Sequence, residues 1–299
     1  MVVAPGSGQR HNPIVGVLWM VAAAIAFSVT ITVVRHLSDK FTTFEIVFFR
    51  QIFGTAIMLP WLFRAGIGVL KTREIKAYLI RAVTTYCAML AAYYSVVLIT
   101  IADSIALQFT LPFFTIIFAM LALREKVRSH RWIATLVGFI GAMIIIRPGF
   151  ADVNAGMLIA LAAAAFYGVS DTCTRFLSGK DSINVVVFYG FILQLPISAV
   201  PAVMTWVTPD MSDLVFILIF VVVAVGAQFC ITQSFANAEA SLVSPVLFIR
   251  LPFVAALGYF FFSELPSTWT WIGAAILFAS TFWSTRIDAR MSNANKASS

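Results

Sequence analysis

Arg50, Arg81 and Arg250 fall inside long apolar runs and are the residues whose chemistry is hardest to place in this chain. Arg250 stands about nine residues into the run 241–262, roughly 14 Å from its nearer end at about 1.5 Å of rise per residue. An unpaired guanidinium at the centre of a bilayer costs at least about 2.5 to 3.5 kcal/mol on insertion scales, so Arg250 must face the interior with a partner. A carboxylate or phosphate on a substrate would serve, in binding or gating. A protein carboxylate would serve equally, with Asp171 and Glu239 as candidates. Arg50 and Arg81 lie about six residues from helix ends, from where a long side chain reaches the interface.

The remaining polar residues of the apolar runs are amides, tyrosines and prolines. Gln51, Gln108, Gln194, Gln228 and Gln233 each demand a partner in hydrocarbon, and interhelical bonding is their default role. Gln108 shares a helix face with Pro112 one turn on. Pro112 and Pro252 fall near the centres of two apolar runs, where each removes a hydrogen bond and frees the carbonyl of Gln108 or Phe248. They read as hinges of cavity-lining helices or as static kinks. Tyr86 and Tyr93, seven apart, are spaced either for an aromatic wall against a planar ligand or for ordinary packing. Arg250, Gln108, Tyr86 and Tyr93 are thus the candidate substrate-binding residues, and Pro112 and Pro252 the candidate hinges.

The elements that position these residues follow from composition. Of 299 residues, 61% are hydrophobic and 11% charged, against roughly 25% charged in a soluble domain. Runs of about 20 apolar residues span a bilayer, and ten can be drawn: 14–34, 44–63, 77–98, 104–123, 132–146, 156–174, 183–206, 214–235, 241–262 and 269–285. The class expected is an all-α polytopic membrane protein. Its first run is too long for a signal-peptide core and reads as a retained helix. The polar ends 1–12 and 287–299 read as disordered tails. Cys87, Cys173 and Cys230 fall inside helices without CxxC spacing, which fits small packing residues better than disulfides or zinc ligands.

Threading ten helices puts fourteen of the twenty Lys and Arg on one side and only Arg35, Lys40 and Arg147 on the other. The basic side is expected to be the cytoplasm, with both termini on it.

Residues 16–38 align with 156–178 at a shift of 140, with ten identities in 23 positions, among them Arg35 with Arg175 and Ser38 with Ser178. Lys40 meets Lys180 and Pro112 meets Pro252. At a shift of 139, Glu125 then pairs with Glu264 and Trp132 with Trp271. The chain therefore reads as two five-helix repeats, 13–147 and 155–286. Because five is odd, the second repeat enters the membrane inverted, an arrangement suited to alternating access around a central site.

The stretches FEIVFFR at 44–50, LPFFTIIFAMLALREKVRSHRWIATLVGFIGAMI at 111–144 and the counterpart at 251–283 resemble the EamA branch of the drug/metabolite transporter superfamily. That resemblance covers nearly the whole chain. It implies a ten-helix secondary carrier in a bacterial-type inner membrane, moving a small organic metabolite without a cofactor. Riboflavin or S-adenosylmethionine is the first expectation on that ground, and export of amino acids or drugs the second.

Other classes are disfavoured by the residues. No GxxxxGK[ST] cradle for ATP occurs. His11, His36 and His130 are the only histidines, none in a helix core beside an acid or serine, and no HExxH or GxSxG appears, so neither an enzyme nor a metal site is expected. No ring of charges or filter-like loop suggests a channel. Asp171 and Arg175 form an i, i+4 pair near a helix end. The small-residue ladders Ala134/Gly138/Ala142 and Ala275/Ala279 permit close helix packing or a homodimer seam.

Overall fold

The computed structural model describes residues 13–123, 129–148, 154–238 and 240–297. The expected N-terminal tail 1–12, as well as Glu125 and Glu239, lies outside the described residues. The helices are α1 (Pro13–Leu37), α2 (Thr43–Ala65), α3 (Ile75–Leu98), α4 (Ile101–Gln108), α5 (Leu111–Leu123), α6 (Ser129–Ile146), α7 (Ala155–Ser178), α8 (Ile183–Ile192), α9 (Gln194–Met204), α10 (Met211–Asn237), α11 (Ala240–Val243), α12 (Arg250–Phe262) and α13 (Thr268–Ala297). A 3-10 segment, Ser244–Ile249, joins α11 to α12. Eight helical segments are long and apolar enough to cross a membrane, counting α4 with α5 and α8 with α9. Val246–Phe262 is a shorter apolar helix, and the apolar character of α13 is diluted by Trp, Thr and Ser. The chain is an all-α polytopic membrane protein.

Local chemistry fixes where the helices begin. At the start of α2 a capping box forms: the Glu45 N–H donates to Thr42 Oγ1, and the Thr42 N–H donates to Glu45 Oε2 at 2.8 Å. Thr100 caps α4 by accepting from the Asp103 N–H, and Asn154 caps α7 by accepting from the Gly156 N–H at 2.8 Å.

Three spans are interrupted, which revises the expected proline kinks. Pro112 is the second residue of α5 and Pro252 the third of α12, in first turns where a missing N–H costs little. Before Pro112 the chain leaves the helix at Phe109–Thr110, and the Thr110 N–H turns back to the Leu107 carbonyl. Before Pro252, the Phe248 carbonyl is not free as expected, because the Arg250 N–H donates to it. These prolines restart helices instead of bending continuous ones. The C-terminal tail expected from 287 is also revised: α13 continues to Ala297, with Asp288 held by His130 Nε2 at 2.9 Å and Arg131 Nε at 3.0 Å.

Helix packing is reciprocal between the two parts of the chain. Here α3 packs on α7 and α1 on α10; α7 also packs on α4 and α5, as α1 does on α12 and its 3-10 lead; α6 meets α13, and α2 meets α8 and α9. The small-residue ladder is occupied within this packing. A Cβ at Gly138 would lie 2.0 Å from the Phe113 ring, and one at Gly141 would lie 2.9 Å from the Gly273 carbonyl of α13. The ladder on α6 is therefore an internal seam, not a free face for a second copy.

Polar contacts between connecting segments sort alternate loops into two sets. One set joins Lys40 to Asp210 and Asp213, Glu45 to the 205–207 segment, Leu98 to Asn154, and Ile101 and Arg35 to Glu264. The other joins Thr72 and Tyr78 to Asp181, Glu74 to Lys180, Leu70 to Tyr189, Gly16 to Ser234, and His130 to Asp288. Each set gathers one end of the bundle. Below, the end of Lys40 is called the first end and that of Lys180 the second.

Candidate functional site

Between α2, α3, α8, α9 and α10 lies a cavity of about 400 Å³, lined at its polar wall by Arg50, Gln51, Arg81, Asn184, Gln194 and Gln228. No carboxylate lines it. Arg50 is seven residues into α2 and Arg81 six into α3, so both guanidinium groups sit within spanning segments.

Glycine and amide positions hold this wall together. Arg81 Nε donates to Thr174 Oγ1 at 2.7 Å and Nη1 to the Val186 carbonyl at 2.8 Å, tying α3 to α7 and α8. Room for that guanidinium exists because residue 190 is glycine; a Cβ there would stand 2.9 Å from Arg81 Nη1. Arg50 lies 5.9 Å from the Phe191 ring centroid and directs Nη1 at the Met89 sulfur, 2.9 Å away. Gln51 Nε2 donates to Gln194 Oε1 at 3.0 Å, while Gln51 Oε1 is buried without a partner. A buried acceptor left open is costly by about 1 to 3 kcal/mol, and a solute donor would relieve it. At the same crossing a Cβ on Gly54 would lie 2.4 Å from Phe191. Residues 51 and 54 thus meet 194 and 191, their own counterparts in exchanged order at the shift of 140.

The expected site residues are divided by the structure. Arg250, the first residue of α12, holds its guanidinium carbon 5.3 Å from the Phe27 ring centroid, and its Nε is buried without a partner. Asp171 does not pair with it: that carboxylate borders a different cavity, with Pro112, Arg131 and Asp288. Tyr93 packs edge-on against Phe220, and both Tyr93 and Tyr167 lie within the electrostatic reach of Arg50 and Arg250. Of these four side chains, two cationic and two neutral, only Arg50 lines the cavity. Tyr86 is buried with its hydroxyl unpartnered, and Gln108 Nε2 donates to Ser104 Oγ at 3.1 Å within α4. Neither lines the Arg50/Arg81 cavity.

Arg50 and Arg81 are the residues that sequence reasoning passed over as interface snorkellers. Depth along a helix placed them near an end; the face on which they lie depends on Gly190 and Phe191, more than 100 residues away.

Comparison with known proteins adds the family. The EamA-like transporter family matches this chain twice, over residues 14–147 and 154–286. The chain belongs to the EamA-like transporter family. It is 33% identical to a riboflavin transporter of Vibrio cholerae serotype O1, over 95% of this chain and 98% of that protein. A riboflavin transporter of Rhizobium johnstonii is 31% identical over 94% of each chain. An S-adenosylmethionine uptake transporter of Rickettsia prowazekii is 27% identical over 90% of this chain and 91% of the relative. A solved crystal structure with 17% identity superposes at a TM-score of 0.60, covering 93% of this chain and 96% of that one, and shares the fold. This EamA-like chain is a multi-pass secondary transporter of a small organic metabolite, not an enzyme.

Proposed function

We propose that the chain is an alternating-access carrier for a planar, vitamin-like solute, riboflavin before S-adenosylmethionine, bound in the Arg50/Arg81 cavity. The observation that carries this reading is the cavity wall itself: two guanidinium groups among neutral amides, with no carboxylate beside them. The dioxopyrimidine edge of a flavin presents carbonyl, N–H, carbonyl, and its two carbonyls can accept from the guanidinium and amide donors of this wall. S-adenosylmethionine offers a carboxylate to these groups but also a sulfonium and an ammonium, so its net positive charge would meet two guanidinium groups of like charge. The higher identity to riboflavin transporters points the same way.

The carrier cycle rests on two inverted five-helix repeats, 13–147 and 155–286. Support comes from the two family matches and from the reciprocal packing. The ion pairs add to it: Lys40 with Asp213 at the first end and Lys180 with Glu74 at the second are counterparts at shifts of 140 and 139. Such halves rock about a shared site, closing one end while the other opens. Pro112 and Pro252 act as hinges at the breaks before α5 and α12. Arg250, Tyr93, Tyr86 and Gln108 contribute to the translocation path beyond the cavity, where the unpartnered Arg250 Nε and Tyr86 hydroxyl become available as the broken spans shift. The basic second end faces the cytoplasm of a bacterial-type inner membrane, with both termini there.

Purified protein in liposomes tests this reading. Labelled riboflavin is expected to enter saturably and to be accelerated by internal unlabelled riboflavin, a counterflow that a channel does not show. Absence of saturable flux for riboflavin, with flux for S-adenosylmethionine or an aromatic amino acid, would replace the solute; non-saturable flux would replace the carrier mechanism.

A further inference from the structure

We infer that the cavity selects by charge and takes its solute best as an anion, with the anionic group against Arg50 and Arg81 and a planar body beside Phe191. The inference rests on the reading of this cavity as the solute site but not on riboflavin as its cargo: riboflavin is neutral near neutral pH, and the charge of the wall places an anionic planar solute ahead of it.

Charge within the membrane interior is unbalanced. Three arginines, Arg50, Arg81 and Arg250, lie inside spanning segments, and among the described residues none of them makes an ion pair. The one acid whose charge reaches Arg81 is Asp171, which borders another cavity and does not contact it as an ion pair. The polar wall carries two positive charges and otherwise only neutral amides and hydroxyls. Their hydrogen bonds leave capacity for a ligand: Arg81 engages Nε and Nη1, and Arg50 engages Nη1 only with a thioether, a weak acceptor. A guanidinium offers five donors in a planar fork that fits carboxylate or phosphate oxygens in pairs. In a low-dielectric wall a neutral solute leaves the positive charge uncompensated, an anion neutralises it, and a cation adds to it.

The test uses three probes that share one ring and differ in charge: phenyl phosphate, benzyl alcohol and benzylammonium. Each is added at millimolar concentration to the full-length protein in nanodiscs, at matched ionic strength, and the thermal unfolding midpoint is read. Phenyl phosphate is expected to raise the midpoint by about 2 to 4 °C through binding to the native state, with no rise for benzylammonium. Arg50→Gln is expected to abolish the phenyl phosphate shift, and Arg50→Lys, which keeps the charge, to retain part of it. The midpoints without ligand show whether each variant is folded. Equal shifts for all three probes, or a phenyl phosphate shift that survives in folded Arg50→Gln, would overturn the inference. Riboflavin flux is scored separately: an Arg50-dependent anion shift without riboflavin flux changes the proposed cargo and leaves the charge selection standing, while riboflavin flux without the anion shift does the reverse.

Discussion

The two ends of the bundle are tied by corresponding residues in unequal ways. At the first end two carboxylates are buried beneath the exposed Lys40–Asp210 clasp: Glu45 is fully enclosed, bonded to the Thr42 N–H and to the Val207 N–H at 2.6 Å, and Asp103 accepts from Thr270 Oγ1. Glu264 there accepts from the Ile101 N–H at 2.8 Å and pairs with Arg35 at 3.5 Å. At the second end the ties run over a more open rim, through Lys180 with Glu74 and through Asp181 with Thr72 and Tyr78. The Arg50/Arg81 cavity lies toward that rim, since Arg81 is near the start of α3 and Asn184 near the start of α8. Similar sequence halves thus make a drier seal at one end and a looser clasp at the other, the asymmetry expected of one station in the proposed rocking cycle.

Breaking the dry seal is expected to have the largest effect. Glu45→Ala removes the α2 capping box and leaves the Val207 N–H without its partner, costing about 3 kcal/mol in folded stability, to be read by thermal unfolding in detergent. An unchanged midpoint would mean that the seal is not structural. Next is the crossing between the ends, where Gly54 meets Phe191. Gly54→Leu overfills that contact, with a loss of about 2 kcal/mol and of riboflavin flux; Gly54→Leu combined with Phe191→Ala should recover part of both, measured in the same unfolding and flux assays.

Glu264 sharpens the comparison through pH. Burial pushes its carboxyl above the ordinary carboxylate value, against the opposing pull of the Ile101 N–H and Arg35. The folded protein therefore binds this proton more readily than the unfolded chain, so this group adds stability as pH falls and loses it as pH rises through the raised value. Acidification should loosen the Arg35 pair before the fold is affected. Hydrogen exchange at the Ile101 amide, corrected for intrinsic rate, is expected to accelerate on mild acidification in the parent protein and to stay level in Glu264→Gln. The smallest effects belong to the exposed clasps. Lys40→Gln and Lys180→Gln should leave the unfolding midpoint nearly unchanged, because such surface pairs contribute little, yet bias the protein oppositely. Flux ratios measured from the two membrane sides should move in opposite directions, and a shared direction would break the correspondence.

Much of this arrangement is legible in the sequence. Apolar runs locate the eight long spans to within a few residues, and the alignment of Arg35, Ser38 and Lys40 with Arg175, Ser178 and Lys180 agrees with the two family matches along the chain. The helix breaks were legible only as prolines, because a proline in a first turn and one in a helix interior look alike until the preceding hydrogen bonds are seen. The cavity was the least legible part. Whether Arg81 snorkels or turns inward is decided by the missing side chain of Gly190, and the cradle for Arg50 by Phe191. Both belong to the other half of the chain. Asp171 satisfied the sequence requirement for an Arg250 partner by type, but helix packing carried it to a different cavity.

The substitutions Lys40→Cys and Lys180→Cys, each made alone in a background with Cys87, Cys173 and Cys230 replaced, give the most direct measurement of two inverted halves. Both positions lie at clasps in connecting segments, where an impermeant thiol reagent can reach them. Labelling of intact cells and of inside-out vesicles is expected to find the thiol at position 40 only from the outside and the thiol at position 180 only from the inside. Modification of both from the same side would contradict the account.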